Sequence, residues 1–336
     1  VSKKPVTQPV SKEPIKIGAV LPLTGRSAFV GTLLKEGLEW KIEELKRQGI
    51  PIEFYIEDTQ SDNNQAITAF QNLVNNKGTK IIFTISSPHG MTLKPLAEQY
   101  RVLLWADTGH PDQTKNSQYV LRHSNTVDKD AEILYNFVKT KNYKKVGIIY
   151  QQDDWGVAWN NIMSDYFKQD KVEVSSEAID PKSSDFRSQI TKILSKDPDA
   201  VLLLSAGTAV GYLVKQIKEL NYNKDLYTAN GFVLSSDAQT IAGDYAKGMY
   251  YLDYERNPQF EKDYEQKFGK KPSVVGFVGY TDIELLYYAI TQTKSTDPEK
   301  IISFIKNLKE FEGKYEKVLI QPTGDLLMLT NLKVWE

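Results

Sequence analysis

The sequence predicts an α/β protein of two doubly wound lobes, each built on a mostly parallel sheet. Short β-branched runs alternate with stretches in which apolar residues recur every three or four positions, which is the pattern of βα units. The alternation stops at a connector and starts again near residue 145. A length of 336 residues fits two domains of roughly 150 residues each. Two such lobes in one chain imply a cleft between them.

The first lobe begins with the strand "IKIGAVL" at 15–21. A helix over about 29–47 follows, because Val30, Leu34 and Leu38 recur at helical spacing. The next elements are a strand over 52–58, a helix with an apolar face from Ala66 to Val74, a strand over 80–85, a helix starting near Gly90 and a strand over 101–107. The stretch "YVLRHSNTVDKDA" (119–131) is predicted to be a connector that enters a new helix at Asp128.

The second lobe repeats the pattern. Its strands are predicted near 145–151, 171–178, 199–205, 225–229 and 247–252, with helices that carry Phe186, Ile190, Ile193 and then Val210, Leu213, Ile217, Leu220. The last eighty residues differ, with helices at about 257–268, 275–292 and 298–309 and a hairpin around Pro322-Thr323-Gly324. Residues 1–14 are rich in proline, lysine and serine, which is typical of a flexible tether, and a disordered terminus is the alternative.

Composition excludes several classes of function. Lysine and arginine number 42 against 43 acidic residues, and no basic stretch is interleaved with aromatic residues, so a nucleic-acid partner is not expected. The chain has no cysteine, which excludes disulfides and thiolate metal sites. Its apolar runs are shorter than the ~20 residues of a membrane span. The chain begins with Val1 rather than methionine, which is compatible with a removed export segment.

Polar residues follow the strand at 80–85, where "SSPHG" begins the next helix. In open parallel sheets, ligands bind beyond the carboxyl ends of strands, where helix N-termini present free N–H groups. Ser86 and Ser87 could therefore donate hydroxyls to a carboxylate or phosphate, and the alternative is that they only cap the helix.

Two further strand ends carry candidate binding residues. In "ADTGHP", Thr108 and His110 supply side chains, and Gly109 permits close approach of a ligand. In "DDWGVAW", Trp155 could close over a ligand, or it could pack on its own lobe. His89 and His110 lack the further ligands of a metal site, and the motifs of nucleotide-binding loops and serine hydrolases are absent from the sequence. No metal, cofactor or catalytic residue is predicted.

The chain resembles the type I periplasmic solute-binding proteins of ABC transporters, in the leucine/isoleucine/valine-binding branch. The resemblance runs from Ile15 to the end. It is carried by "IKIGAVLPLTG", "IEDTQSDNNQAITAFQNLV", the serine-bearing strand end, "YVLRHSNTVDKDA", "VGIIYQQDDWGVAW", "DPDAVLLLSAG" and "VGFVGYTDIELLYYAI", in the order of the family. It implies a Venus-flytrap fold, in which two lobes joined by a three-strand hinge close on a ligand. The implied lobes are 15–122 with about 254–325, and 123–253 with about 326–336.

The resemblance also implies a set of ligand contacts. The α-carboxylate contacts of amino-acid-binding members fall on Ser87, Thr108, Gly109 and His110, and aromatic contacts fall on Trp155 and Phe277. Ala206 and Val30 occupy two further contact positions, and Trp105 is an additional candidate for the lining. His110 stands where the family has a threonine.

Asn230, in "YTANGF", stands where amino-acid-binding relatives place an acidic residue for the ligand's ammonium group. A lost charge-assisted bond costs roughly 1.5–3 kcal/mol. This argues against a standard α-amino acid unless Asp107, Asp153 or Asp253 replaces the missing carboxylate. The pocket would suit a small carboxylate or amide, either aromatic or branched.

The sequence therefore predicts a monomeric, non-enzymatic receptor that captures a small ligand and delivers it to an ABC permease. We expect it to be periplasmic or lipid-anchored outside the cytoplasmic membrane. The alternatives are a ligand-sensing domain of a signalling receptor and a cleft hydrolase using Ser87 with His89 or His110.

Overall fold

The computed structural model describes residues 13–255 and 257–336. The described strands are β1 (Ile15–Leu21), β2 (Ile52–Asp58), β3 (Ile81–Ile85), β4 (Leu103–Asp107), β5 (Val120–His123), β6 (Lys145–Gln151), β7 (Glu173–Ile179), β8 (Ala200–Leu204), β9 (Asp225–Thr228), β10 (Tyr250–Tyr254), β11 (Glu310–Glu312), β12 (Lys317–Ile320), β13 (Asp325–Leu327) and β14 (Thr330–Val334). The tether predicted for residues 1–14 lies, apart from its last two residues, outside the described residues.

The described helices alternate with the strands in each half of the chain. They are α1 (Ala28–Arg47), α2 (Asn63–Lys77), α3 (Ser87–Tyr100), α4 (Val127–Lys139), α5 (Asp154–Gln169), α6 (Arg187–Leu194), α7 (Thr208–Glu219), α8 (Ser236–Ala242), α9 (Pro258–Phe268), α10 (Val274–Thr293) and α11 (Pro298–Lys306), with a 3₁₀ helix at Gly243–Ala246. Within the described ranges, none of these helices combines the length and the apolar character needed to cross a membrane.

The described chain divides into two compact units. Unit 1 contains residues 13–108, 113–124 and 257–327, and unit 2 contains 109–112, 125–255 and 328–336. The arrangement of the two as lobes about a three-strand hinge stays a prediction.

Unit 1 is built on an eight-stranded sheet in the order β11-β12-β13-β5-β4-β3-β1-β2. The neighbouring strands β2, β1, β3, β4, β5 and β13 pair in parallel. Strand β12 is antiparallel to both of its neighbours, β11 and β13. Every residue of β3 and of β4 is buried, as expected for central strands of a parallel sheet that is covered on both faces.

Unit 2 has a six-stranded sheet in the order β14-β10-β9-β8-β6-β7, with only β14 antiparallel. Alternate residues of its strands enter two separate apolar cores, because successive side chains of a strand point to opposite faces. Along β8, Val201 and Leu203 belong to one core, whereas Leu202 and Leu204 belong to the other. The predicted fold class, two doubly wound α/β lobes, is confirmed.

Side-chain caps fix where several helices begin. The Asp62 carboxylate accepts from the backbone N–H groups of Asn64 and Gln65 at the start of α2, and Thr126 and Asp153 cap α4 and α5 in the same way. Gly78 ends α2 with a φ of 69°, a left-handed conformation that favours glycine.

The structure corrects two predicted elements. The segment 119–131, predicted to be a connector, contains strand β5, which pairs with β4 and β13. The helix predicted to start near Gly90 begins three residues earlier, at Ser87. The hairpin around Pro322-Thr323-Gly324 is confirmed, since β12 and β13 pair antiparallel across it, whereas β11 and β14 were not predicted.

Candidate functional site: strand ends of the two sheets

The carboxyl end of β3 places a serine hydroxyl in a buried position without a partner. Ser87 is the first residue of α3 and is 3% exposed, and its Oγ makes no hydrogen bond. Ser86, just before it, has a φ of 82°, which is strained for a residue other than glycine, and its side chain makes no capping bond. Helix capping therefore does not account for either hydroxyl. An unpaired hydroxyl at a helix N-terminus is suited to an anion.

His89 lies in the first turn of α3 rather than in a turn before it. It is 2% exposed, and its Nδ1 has no hydrogen-bond partner. Burial lowers the pKa of His89 to about 4, so the imidazole is neutral at pH 7. Because the Ser87 Oγ and the His89 Nδ1 are both unpaired, these residues do not form the hydrogen-bonded nucleophile and base that a hydrolase needs.

We expect His89 to make folding stability fall in mild acid. Its pKa is about 4 in the folded protein and 6.5 in the reference state, so its contribution is complete above pH 6.5 and is lost as the pH falls toward 4. Between pH 7.5 and 4.5 the free energy of unfolding of the wild type should fall by about 2–3 kcal/mol more than that of His89→Gln, which cannot titrate. Urea unfolding at both pH values measures this difference.

His110 is half-buried, and its Nδ1 accepts from the Asp112 backbone N–H at 3.1 Å. Thr92→Ala is the matched control, because Thr92 lies on the same helix as His89 and carries no titratable group. This variant should follow the wild type at both pH values. Equal losses of stability for His89→Gln and the wild type would show that His89 is not held neutral by burial.

The carboxyl end of β4 carries Thr108, which is 2% exposed. Its hydroxyl donates to Gln113 Oε1 at 3.3 Å, so only its lone pairs remain for a ligand. Gln113 in turn donates to the backbone carbonyl of Gly90 at 3.0 Å, which ties the β4 end to the first turns of α3. The Thr108 hydroxyl proton is thus already used within the fold, and a ligand could meet this hydroxyl only as an acceptor.

Gly109 and His110 continue the chain in unit 2, where Trp155 lies against the glycine. An ideal Cβ at Gly109 would lie 3.2 Å from Trp155 Cδ1 and 3.3 Å from Val127 Cγ2, so a side chain here would crowd the indole. Trp155 also meets Trp159 edge-on, with ring centroids 6.0 Å apart. Trp155 therefore packs on its own unit while remaining half-buried, and its contact with a ligand stays a prediction.

The loop after β1 is organised by Asp58, which sequence reasoning missed. The Asp58 carboxylate accepts from the backbone N–H groups of Leu23, Thr24 and Gln60 and from the Thr24 hydroxyl. Burial alone would raise the pKa of Asp58, but these bonds outweigh it and lower the pKa. The loop leads into the first turn of α1, which holds the half-buried Val30. An acid directly before the polar turn "TQSDN" was the available sequence indication.

In unit 2, Gln151 binds two neighbouring strand ends together, and the turn after a third strand packs against them. Its Oε1 accepts from the Ala206 backbone N–H at 3.0 Å and from the Ser205 hydroxyl at 3.3 Å, which joins the ends of β6 and β8. An ideal Cβ at Gly231 would lie 2.8 Å from Ala206 Cβ, so the turn after β9 presses on the end of β8. Ala206 and Asn230 consequently lie on adjacent strand ends.

Asn230 has polar partners inside unit 2. Its amide Nδ2 donates to the Tyr254 hydroxyl at 2.6 Å, and that hydroxyl donates to Asp130 Oδ2 at 3.1 Å. Of the three carboxylates that could replace an acidic residue at 230, two are engaged by other groups and the third is buried in unit 1. Asp153 caps α5, Asp253 pairs with Lys333 at 2.9 Å, and Asp107 lies in a buried cluster of unit 1.

That buried cluster joins Asp107, His123, Asp282 and Glu316. His123 Nδ1 lies 2.7 Å from Asp282 Oδ1, and its Nε2 lies 3.4 Å from Glu316 Oε1. Burial alone would lower the pKa of His123, but the two carboxylates raise it well above its usual value. Burial, followed by repulsion from Asp282, raises the pKa of Asp107 well above its usual value. Among the described residues, no group of three or more potential ligands is arranged to hold a metal ion.

Two predicted aromatic contacts have core positions. Phe277, on the first turn of α10, is 2% exposed and meets Phe260 edge-on with centroids 4.9 Å apart. Trp105 is fully buried and stacks on Phe83 at 5.5 Å. The ligand contacts assigned to Phe277 and Trp105 stay predictions.

Comparison with known proteins agrees with this architecture. The sequence profile described as "Periplasmic binding protein" matches residues 14–328. The chain belongs to the periplasmic binding protein family. The predicted resemblance is thereby confirmed, and so is the prediction that the chain is not an enzyme, because the periplasmic binding proteins are a non-enzymatic family.

Individual periplasmic binding proteins extend the match over nearly the whole chain. The Leu/Ile/Val-binding protein BraC3 of Rhizobium johnstonii is 25% identical over 98% of this chain and 93% of its own length. The leucine-binding protein LivK of Thermotoga maritima superposes with a TM-score of 0.88 at 22% identity, covering 96% of this chain and 95% of that one. A solute-binding protein of Rhodopseudomonas palustris, solved with 3,4-dihydroxybenzoic acid, gives a TM-score of 0.85 at 21% identity, with coverages of 96% and 93%.

Proposed function

We propose that this chain is the extracytoplasmic receptor of an ABC importer and that it captures a small ligand bearing a carboxylate. The observation that carries the proposal is the unpaired, buried Ser87 hydroxyl at the N-terminus of the 14-residue helix α3. A carboxylate there would accept from the hydroxyl and from free N–H groups of the first turn. The helix dipole favours the same charge.

The remaining residues supply the rest of the proposed site. Ser86, Thr108, Gly109 and His110 follow β3 and β4, and Ala206 and Asn230 follow β8 and β9. Trp155, Phe277 and Val30 are proposed as apolar contacts. The similar proteins support a ligand of this type, since one is named for leucine, isoleucine and valine and another was solved with an aromatic acid. We propose that the ligand is an amino acid or an aromatic or branched acid.

Delivery to a permease, action as a monomer and closure about a hinge belong to the same proposal. They rest on the family to which the chain belongs and on the predicted lobes. A signalling receptor domain would bind its ligand in the same way, so loss of import on deletion of the protein separates the two roles.

A ligand screen tests the proposal. Thermal unfolding should be measured with amino acids, aromatic acids, keto acids and amides, since a ligand raises stability by RT ln(1 + [L]/Kd). At least one carboxylate should raise the unfolding temperature, and Ser87→Ala should weaken its binding roughly tenfold, as for loss of one hydrogen bond to a charged group.

Thr92→Ala, on the second turn of the same helix, is the matched control and should bind like the wild type. A ligand whose affinity is unchanged by Ser87→Ala would contradict the assignment of the carboxylate site. Stabilisation by amides but by no carboxylate would contradict the proposed ligand class.

A further inference from the structure

The side chain of Asn230 is one end of a hydrogen-bonded chain whose direction can be deduced. Every member belongs to unit 2: Asn125 and Asp130 at the start of α4, Tyr254 at the end of β10, and Met328 and Thr330 around the start of β14. Asn230 itself follows β9, the strand paired with β10. The chain thus connects a strand end of the proposed ligand site to the segments where the polypeptide enters unit 2.

The direction is set by a backbone donor. The Met328 N–H can only donate, and it donates to Asn125 Oδ1 at 3.0 Å. The amide nitrogen of Asn125 therefore faces Asp130 Oδ1, at 3.1 Å, and Thr330 Oγ1, at 2.7 Å. The orientation of an asparagine amide is properly assigned from such a network. Asp130 is consequently an acceptor at this oxygen, and the Thr330 hydroxyl donates to the same atom at 3.1 Å.

The other oxygen of Asp130, Oδ2, fixes the direction of the Tyr254 hydroxyl, which in turn fixes the orientation of the Asn230 amide. Tyr254 has a single hydroxyl proton, and it points to Asp130 Oδ2 at 3.1 Å, because an ionised carboxylate only accepts. The phenolic oxygen must then accept from Asn230, whose Nδ2 lies 2.6 Å away. This arrangement commits the Asn230 NH₂ group to the protein and turns its carbonyl oxygen away from Tyr254.

We propose that Asp130 and Tyr254 are positioning residues that make Asn230 present its carbonyl oxygen, Oδ1, to the ligand. The proposal rests on the proposed function, which places Asn230 in the ligand site. It assigns a second feature to the ligand: besides its carboxylate, the ligand carries a hydrogen-bond donor, either an ammonium, an amide N–H or a hydroxyl. Replacing an acidic residue by Asn230 removes the negative charge from the site but keeps an acceptor there.

Protonation of Asp130 would release this constraint. Asp130 is 3% exposed, and burial raises its pKa to about 6 in spite of the bonds from Asn125, Thr330 and Tyr254. The titratable groups that act on it are Tyr254 from β10 and Asp128 from the same helix, the latter raising its pKa further. A protonated Asp130 can donate to Tyr254, which frees the phenol to donate to Asn230 Oδ1. The amide would then present its NH₂ group instead of an acceptor.

Two matched pairs of ligands test the proposal. Leucine and 4-methylpentanoate differ by the ammonium group, and 3,4-dihydroxybenzoate and benzoate differ by the hydroxyls. At pH 7.5 the wild type should bind the donor-bearing member of at least one pair roughly tenfold more tightly by calorimetry, as for a hydrogen bond left unmade. In Tyr254→Phe and in Asp130→Asn this ratio should fall toward one. Tyr250→Phe, on the same strand and bonded to Lys141, is the matched control and should keep the ratio.

The coupling of Asn230 to Asp130 through Tyr254 can also be tested without a ligand. In ¹⁵N-labelled protein, the Asn230 side-chain NH₂ signals, assigned by their loss in Asn230→Asp, should shift with pH with a midpoint near 6. The shift should disappear in Tyr254→Phe and in Asp130→Asn, although both variants stay folded by circular dichroism. A merely structural role for Tyr254 would leave the titration in place.

Some results would contradict the role of Asp130 and Tyr254 without contradicting the proposed function. Equal affinities within both pairs for the wild type would overturn the inference and leave the carboxylate site intact. Persistence of the ratio in Tyr254→Phe, or of the Asn230 titration, would also overturn it. If none of the four probes binds the wild type, the proposed function fails for these ligand classes and the assignment of a donor-bearing ligand fails with it.

Discussion

Asp282→Ala is expected to lower the free energy of unfolding by about 3–5 kcal/mol, the usual cost of removing one partner from a buried ion pair. Asp282 is fully buried and lies 2.7 Å from His123 Nδ1, and His123 is 1% exposed. Without this carboxylate, the nearest ion-pair partner left to the imidazole is Glu316, at 3.4 Å. The variant must then either bury a poorly paired imidazolium or deprotonate it. Denaturant unfolding at pH 7 measures the loss.

Two further variants separate the effect of the lost charge from the effects of the lost volume and of burial. Asp282→Asn keeps the volume but not the charge, so it should recover the part of the loss that comes from the cavity. Asp244 pairs with Lys247 while its side chain is 91% exposed, and Asp244→Ala should leave stability nearly unchanged, as for surface ion pairs. Relief of Asp107, whose pKa is raised by Asp282, offsets some of the cost. A loss below that of Asp244→Ala would refute the role given to the pair.

The regular elements of both sheets could be predicted because their information is local. Periodicity locates β1, β3, β4, β6 and β8 within about two residues, since buried strands are continuous apolar runs. Strand β5 was missed because half of its four residues are Arg122 and His123, which look polar in the sequence. They can be buried only because Asp325 lies 2.6 Å from Arg122 and Asp282 pairs with His123, partners that are distant along the chain.

The candidate site could also be predicted only where its information is local in the sequence. Ser86 and Ser87 could be predicted because a strand end followed by polar residues and a proline is a local pattern. Whether their hydroxyls cap the helix could not, since capping depends on side-chain direction. Asn230 could be singled out only by resemblance, and its partners Tyr254 and Asp130 come from other strands and helices. Sequence reasoning finds residues at strand ends but not which of their atoms are already engaged.

Gly37→Ala is expected to destabilise the protein by about 3 kcal/mol or more, the upper range for overpacking a close contact. Gly37 lies on α1 where the helix meets α10 within unit 1. An ideal Cβ at this position would lie 2.0 Å from the Gly276 carbonyl oxygen and 2.9 Å from the Tyr280 backbone nitrogen. Both obstacles are backbone atoms of a helix, so neither can rotate away. The contact is reciprocal, since a Cβ on Gly279 would lie 2.7 Å from the Leu34 carbonyl oxygen.

Whether Gly37→Ala lowers or raises stability shows whether α1 and α10 are held at backbone contact. In a helix interior, alanine is more favourable than glycine by roughly 1 kcal/mol, so Gly37→Ala would stabilise the protein if α1 and α10 could separate freely. Thr32→Ala, at an exposed position of the same helix, is the matched control and should leave the unfolding temperature nearly unchanged. An unfolding temperature of Gly37→Ala equal to or above that of the wild type would show that the two helices do not hold each other at backbone contact. A large fall would show that the two glycines set the distance between these helices, because nothing but a single methyl group has been added.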